Sequence, residues 1–408
     1  MPDRPLARIP VPPGADGVVA LIEPLRRALD GTGPAIAPIP IVSATTSNEY
    51  VSQLLRATRP ADSSQPLESD EIAVVMATSG STQNPKGVMH SASTLTALTR
   101  AALGPVNSVP QWIAALPVTS MGGINVLIRS SGTGLDPIAV SSVGGAAPFT
   151  PKAFNEAFVA ALIRSPDVRV SLVAAQLRRL LADPAAAAAL QQCSQILIGG
   201  GPLPLQTAEA ARAAKVDLTT TYGATETAGG CVFNGHPLAG VDIAIDEHDA
   251  QIILSGPMVA LGYRCEPELT ARQFVNGAYL TGDTGIFAKL LSVTGRLDDV
   301  ATINGVNVSV HAVEEGLNSH AAVHSCAVMI ETDGSGDTQL FAAITLGQVE
   351  VDAEELKTQL RAAIRQNLGT AAVPRFFAIL ESLPMLPNGK VDRRVLKGLI
   401  GDGATWQR

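Results

Sequence analysis

The chain has 408 residues, 46% hydrophobic and 16% charged, which supplies a large core and excludes an intrinsically disordered protein. Its 29 Lys and Arg against 37 Asp and Glu give a net charge of −8 with no basic cluster, which argues against nucleic acid or an anionic membrane as partner. The four cysteines (Cys193, Cys231, Cys265, Cys326) form no CxxC pair, so a disulfide scaffold or cysteine zinc site is not expected, and a reducing cytoplasm fits. The leading MPDRPLARIPVPPG has charge and prolines where a signal peptide has an apolar core. No apolar run approaches the roughly 20 residues needed to span a bilayer. The length suits two or three domains, and a globular enzyme is the expectation.

In chain order, VVALIEPLRRALDG repeats apolar residues every three or four positions and predicts a helix. The polar ADSSQPLESD leads into IAVVMAT, a buried strand that exits into a Ser/Gly/Thr-rich loop. Strand-like WIAALP, VRVSLV, ILIGGG and VDLTTTYG then alternate with helical FNEAFVAALIRS, AAQLRRLLAD and TAEAARAA. Such alternation implies βαβ crossovers and a largely parallel sheet, with ligands at the carboxyl ends of its strands. After residue 230 come short strands punctuated by glycine: VDIAI, AQIILSG and GAYLTGD. GRLDDV, at 295–300, reads as a boundary. Beyond it, helix candidates VHAVEEGLNSH and AEELKTQLRAAIRQNL and strands SCAVMIE and LFAAITL make an independent α+β unit. The fold class is α/β, with a large domain over 1–296 and a small one over 297–408.

Three constellations along this frame could carry chemistry. Thr78, Ser79, Gly80, Ser81, Thr82, Gln83, Asn84, Pro85, Lys86 and Gly87 follow the IAVVMAT strand. Their hydroxyls and backbone N–H groups can wrap phosphate oxygens while Lys86 supplies a point charge. The spacing is not that of a Walker loop, and a plain surface loop is the competing reading. In TTTYGATET (219–227), Thr225 and Glu226 set a hydroxyl beside a carboxylate at a strand end, suited to a phosphate and its Mg2+. A helix start capped by Thr225 or Thr227 is the alternative. In PNGKVDR (387–393), Lys390 stands on a Pro/Gly-flanked turn, where a lysine is ordinarily exposed and inert.

The order and spacing of these segments, with YLTGD and GRLDD between them, resemble the adenylate-forming superfamily of acyl-CoA synthetases, adenylation domains and luciferases over roughly residues 70–400. The resemblance implies mainly parallel sheets sandwiched by helices plus a β-rich portion, then a small mobile C-terminal domain. It also implies two steps: a carboxylate attacks the α-phosphate of ATP to give an acyl-adenylate and pyrophosphate, and the thiol of coenzyme A then displaces AMP. Carried over, Thr78, Ser79, Gly80, Ser81, Thr82 and Lys86 form the loop around the β- and γ-phosphates. Glu226 binds Mg2+, Thr225 meets the α-phosphate, and Asp283 with Arg296 holds the ribose. Gly199, Gly200, Gly201, Tyr222 and Gly223 flank adenine. Lys390 bridges carboxylate and α-phosphate, and Asp298 is the hinge of the small domain. Gln83 stands where the superfamily has glycine.

Within the superfamily, ALPVTSMGGINVLIRS and TETAGGCVFNGHPL resemble compact actinobacterial o-succinylbenzoate–CoA ligases of menaquinone biosynthesis. That acid is a dicarboxylate, and the carboxylate not activated needs a cation or donors. Arg129 is the candidate cation, an interface or surface arginine being the alternative. Ser120, Gly123, Thr225, Gly229 and Gly230 line the same expected pocket. The histidine that such ligases carry in the turn is absent from Val118-Thr119-Ser120, and so is the aspartate of amino-acid-activating domains. The remaining alternatives are a ligase or stand-alone adenylation enzyme for another acid, and a degenerate nucleotide-binding homologue; joint retention of Lys86, Glu226, Asp283, Arg296 and Lys390 argues against the last. A homodimer is compatible with the resemblance. GxSxG, HExxH and GxGxxG are all absent, and His320 and His324, spaced i, i+4, straddle an expected helix end.

Overall fold

A computed structural model describes residues 4–60, 66–78, 85–104, 108–303, 306–332, 338–347, 351–385, 391–400 and 406, apart from the side chains of 298, 300, 302 and 307. Its architecture is α/β. One five-stranded sheet runs Leu6–Val11, Ala35–Pro40, Ile72–Ala77, Gly87–Ser91, Gly262–Tyr263. The first three strands are parallel and the last two pair antiparallel. A seven-stranded sheet runs His236–Pro237, Gly229–Phe233, Thr219–Ala224, Gln195–Ile198, Val168–Leu172, Gln111–Ala114, Ile138–Ala139, and is parallel from Thr219–Ala224 onward. The helices Ala15–Leu29, Met121–Ser131 and Pro151–Arg164 contribute Leu21, Leu25, Ile124 and Phe154, which pack with Trp112 and Ile113 into one core.

The periodic segments fold as their patterns predict. VVALIEPLRRAL (18–29) lies in the helix Ala15–Leu29, with Asp30 as its C-cap, and AEELKTQLRAAIRQNL is the helix Ala353–Leu368. Two differences bear on the site. The Ser/Gly/Thr-rich loop does not lead into a crossover helix; it returns at once as the strand Gly87–Ser91, antiparallel to Ile72–Ala77. That strand, GVMHS, is short and carries a histidine, so it has no apolar signature of its own, although all five residues are buried. In VDLTTTYG the strand begins only at Thr219.

A third, antiparallel sheet holds Asp242–Ile245, Gln251–Ser255, Phe274–Val275, Ala278–Phe287 and Leu291–Arg296. GRLDDV spans the end of the last of these and the 3-10 turn Leu297–Asp299. Beyond it, Val323–Thr332, Thr338–Leu346 and Phe376–Ile379 form a sheet, and the helices Val310–Asn318 and Ala353–Leu368 pack Val313, Leu317, Leu360 and Ile364 into a core distinct from the one around Trp112. Among the described residues no helix is long and apolar enough to cross a membrane.

Candidate active site

At the tip of the first hairpin, Thr78 and Lys86 close a neck. The Thr78 N–H donates to the Lys86 carbonyl at 2.8 Å, and the Lys86 N–H donates to the Thr78 hydroxyl at 2.9 Å. Ser79, Gly80, Ser81, Thr82 and Gln83, between them, lie outside the described residues. The Lys86 ammonium stands 5.1 Å from the ring centroid of Tyr263. The Tyr263 hydroxyl donates to Glu226 Oε1 at 2.9 Å, so the loop lysine and the acid of the second constellation share one aromatic support. Burial and the Glu226 charge push the Tyr263 phenol up, and it stays a donor.

The strand Thr219–Ala224 runs straight into the 3-10 turn Thr225–Thr227. Thr227, not Thr225, does the capping: its hydroxyl accepts the Ala224 N–H at 2.9 Å. The Thr225 hydroxyl has no partner among the described residues, and Thr225 lines a cavity. Backbone contacts hold the turn down. The Thr225 carbonyl accepts the Ala228 N–H at 3.2 Å and His90 Nε2–H at 2.8 Å, while the Glu226 carbonyl accepts the Ala260 N–H at 2.9 Å. A carbonyl only accepts, so His90 carries its proton on Nε2, and Nδ1 faces the Thr94 hydroxyl at 3.2 Å. His90 is fully buried, and burial pulls its pKa down to about 4, which keeps the ring neutral.

Asp283 lies on Ala278–Phe287, cross-strand from Arg296. Its Oδ1 accepts from Arg296 at 2.9 Å and its Oδ2 from the Tyr222 hydroxyl at 2.9 Å. Gly199, Gly200 and Gly201 follow the strand Gln195–Ile198, next to Thr219–Ala224. A side chain at Gly199 would meet the Thr221 hydroxyl at 2.4 Å. The glycine loop, Tyr222 and Gly223 thus gather at the carboxyl ends of neighbouring parallel strands, the usual ligand position in such sheets.

Ser120 caps the helix Met121–Ser131, its hydroxyl accepting the Gly123 N–H at 3.3 Å. Gly123 serves the turn: a Cβ there would lie 2.1 Å from the Pro117 carbonyl. Met121, Asn125 and Arg129 recur at i, i+4 along one face of this helix. Asn125 donates its amide to the Ala228 carbonyl at 2.8 Å, and Gly229, at φ +96°, comes so close that a Cβ would meet the Asn125 amide at 2.4 Å. A Cβ at Gly230 would lie 2.9 Å from Thr221 Cβ. Arg129, one turn beyond Asn125, is buried with its guanidinium 5.4 Å from the Trp112 ring centroid. No carboxylate pairs with it among the described residues, and burial lowers its pKa to about 10. It is therefore not a surface arginine.

The cavity beside Thr225 is walled by Pro12, Pro38, Pro40, Tyr50, Val118 and Met121, with the hydroxyls of Thr46, Thr119 and Ser120 among its polar groups. Gly123, Arg129, Gly229 and Gly230 do not line it.

Lys390 lies outside the described residues, and Asp298 falls in the 3-10 turn Leu297–Asp299 with its side chain likewise outside them. The flanks of the lysine turn are held. The Asp392 N–H donates to the Pro384 carbonyl at 2.8 Å, Arg393 pairs with Glu314, and Arg394 donates to Gln53 at 3.3 Å. Gln53 lies on the helix Asn48–Thr58, whose Tyr50 and Leu54 line the cavity. His320 Nε2 faces Gln359 at 3.1 Å, and the His324 carbonyl accepts from Arg178 at 3.0 Å. Tyr263, Asn125 and His90 join the site without having been anticipated. Of these, His90 had a signal, a lone imidazole in the strand leaving the Ser/Gly/Thr-rich loop.

The family pattern described as AMP-binding enzyme matches residues 26–264, and that of the AMP-binding enzyme C-terminal domain matches residues 312–390. A Mycobacterium tuberculosis protein named "Probable 2-succinylbenzoate--CoA ligase" is 34% identical over 393 residues, covering 94% of this chain and 96% of that one. Among solved structures, an amide bond synthetase from Marinactinospora thermotolerans superposes with TM-score 0.77 at 23% identity, over 98% of this chain and 90% of that one. The O-succinylbenzoate coenzyme A synthetase from Bacillus subtilis, in complex with AMP, gives 0.71 at 23% identity, over 97% and 89%. At these identities the structural likeness concerns the fold.

Proposed function

The chain belongs to the AMP-binding enzyme family, and from that membership we propose that it is an ATP- and Mg2+-dependent acid–CoA ligase acting on 2-succinylbenzoate (o-succinylbenzoate). The observation that carries the choice of acid is the 34% identity to the mycobacterial ligase over nearly the full length of both chains. The acid's carboxylate attacks the α-phosphate of ATP, forming the acyl-adenylate and releasing pyrophosphate. The thiolate of coenzyme A then attacks the acyl carbon, and AMP leaves.

Charge accumulates on the α-phosphate in the first step, so pre-placed donors and cations carry the catalysis. Lys86, backed by Tyr263, supplies positive charge at the mouth of the phosphate loop. The Thr225 hydroxyl, without a partner among the described residues, can donate to an α-phosphate oxygen. Glu226 keeps Oε2 available for Mg2+ while Tyr263 occupies Oε1. A single carboxylate suits this ion, which takes its remaining ligands from substrate phosphates and water; bound there, it neutralises phosphate charge. Asp283 accepts from the ribose hydroxyls, steadied by Tyr222 and Arg296. Lys390 bridges the attacking carboxylate and the α-phosphate, and rotation about Asp298, at the junction of 1–296 and 297–408, withdraws it for thioester formation. Arg129, buried without a described acidic partner but behind the lining of the cavity beside Thr225, is the proposed cation for the second carboxylate. Its use of ATP and coenzyme A fits a cytoplasmic enzyme.

CoA-thioester formation with 2-succinylbenzoate, benzoate, a fatty acid and amino acids tests this. Turnover confined to 2-succinylbenzoate and lost in Lys390→Ala is the expected result. Turnover of another acid overturns the choice of substrate.

A further inference from the structure

We propose that His90 is a positioning residue for adenylate formation: through Nε2–H it clamps the Thr225 carbonyl, and with it the turn bearing Thr225 and Glu226, onto the strand that leaves the phosphate loop. The inference rests on the reading of Thr225 and Glu226 as the α-phosphate and Mg2+ residues.

Two pieces of chain far apart in sequence must keep a fixed distance if one nucleotide is to touch both. One is the hairpin Ile72–Ala77/Gly87–Ser91, which presents the loop; the other is the turn Thr225–Thr227, which belongs to the seven-stranded sheet. His90 crosses between the two sheets in one hydrogen bond of 2.8 Å, spanning 135 positions of sequence. The Ala260 N–H on the Glu226 carbonyl is a second clamp, beside Gly262–Tyr263, the strand that pairs with Gly87–Ser91. Tyr263 OH on the Glu226 carboxylate is a third. All three arise from one edge of the five-stranded sheet and converge on two consecutive residues. Among them only His90 is a side chain acting on the backbone, so it alone can be removed without touching a proposed nucleotide or metal group. Its other nitrogen is engaged by Thr94, which fixes the ring plane and leaves Nε2 as the donor.

Groups that orient a catalytic ligand typically contribute roughly 10–100-fold to activity. The removal is also structurally mild, because the Thr225 carbonyl keeps the Ala228 N–H. The test is ATP–pyrophosphate exchange with 2-succinylbenzoate over a Mg2+ series, on the full chain. His90→Leu should lower the exchange rate roughly 10–100-fold and raise half-saturating Mg2+, with the KM for the acid unchanged. His90→Gln, whose longer amide reaches the same carbonyl, should recover to within about threefold of wild type, and His90→Asn, which is too short, should not.

Wild-type exchange and Mg2+ dependence in His90→Leu would overturn the proposal. So would equal loss in the Gln and Asn variants, since that would assign the effect to ring packing. Should His90→Leu fail to fold, the Gln–Asn comparison decides alone. Thr225→Ala and Glu226→Gln run in parallel: if both keep full exchange, the underlying site reading fails and this inference with it. If both are impaired while the His90 variants are not, only the inference falls.

Discussion

The Tyr222 hydroxyl donates to Asp283 Oδ2 at 2.9 Å, while Arg296 takes Oδ1, so both oxygens of the carboxylate expected to hold ribose are already engaged by the protein. Burial and the Asp283 charge push the Tyr222 phenol well above its ordinary range, which keeps it protonated and donating. A residue expected to flank adenine thus also orients the carboxylate expected to accept from ribose. Tyr222→Phe keeps the ring and removes the donor. A hydrogen bond to a charged group contributes about 1.5 kcal/mol, so the KM for ATP should rise roughly tenfold with the KM for the acid unchanged. An unaltered KM for ATP would detach Tyr222 from the ribose site.

Glu226→Gln keeps the size of the side chain and its acceptor for Tyr263 but discards the charge. Adenylate formation should fall roughly 100–1,000-fold with little change in melting temperature. Excess Mg2+ should restore part of the rate. A purely structural carboxylate would give the reverse pattern, lost stability with preserved turnover.

Arg129 is a charge buried without a described acidic partner, and replacing such a charge by an apolar group of similar volume is commonly neutral or stabilising. Arg129→Met should therefore melt at or above the wild-type temperature while the KM for 2-succinylbenzoate rises at least roughly tenfold, the loss of one charge-assisted contact. A sharp fall in melting temperature together with an unchanged KM would make Arg129 a packing element over Trp112.

His90 also predicts how stability varies with pH. Burial holds its pKa at about 4 in the folded chain, against an ordinary value of 6.5. Between those values the unfolded chain binds more protons, so stability rises with pH across this window. The contribution is fully present above about 6.5 and lost as pH falls to about 4. The gap corresponds to about 3 kcal/mol. Urea unfolding from pH 4.5 to 7.5 should show a slope that flattens in His90→Leu, and an identical slope in both proteins would refute the assignment.

What the sequence made legible followed period and punctuation. The helices 15–29 and 353–368 announce themselves by apolar spacing, and the Gly-rich strand exits mark where ligands would sit. The return strand Gly87–Ser91 did not, because its burial comes from two neighbouring strands and not from its own composition. Tyr263 and Glu226 are 37 positions apart, and nothing local to either residue encodes their contact. Thr225 and Thr227 are chemically alike, and only the closed turn shows that Thr227 is the one that caps. Arg129 offered both a functional and a surface reading, and burial against Trp112 removes the second.

The two tryptophans of the chain divide the molecule between them. Trp112 is sealed beneath the guanidinium of Arg129, and Trp406 stands edge-on to Phe341 at 5.4 Å in the C-terminal part. Each part thus carries its own fluorophore. Replacing either with phenylalanine leaves an emission signal reporting on one half alone. With Trp112 retained, quenching should follow occupancy of the helix face that carries Arg129; with Trp406 retained, the signal should follow unfolding of the small sheet. Events at the Arg129 face and loss of the C-terminal core then become separately readable in a cuvette, without an added label.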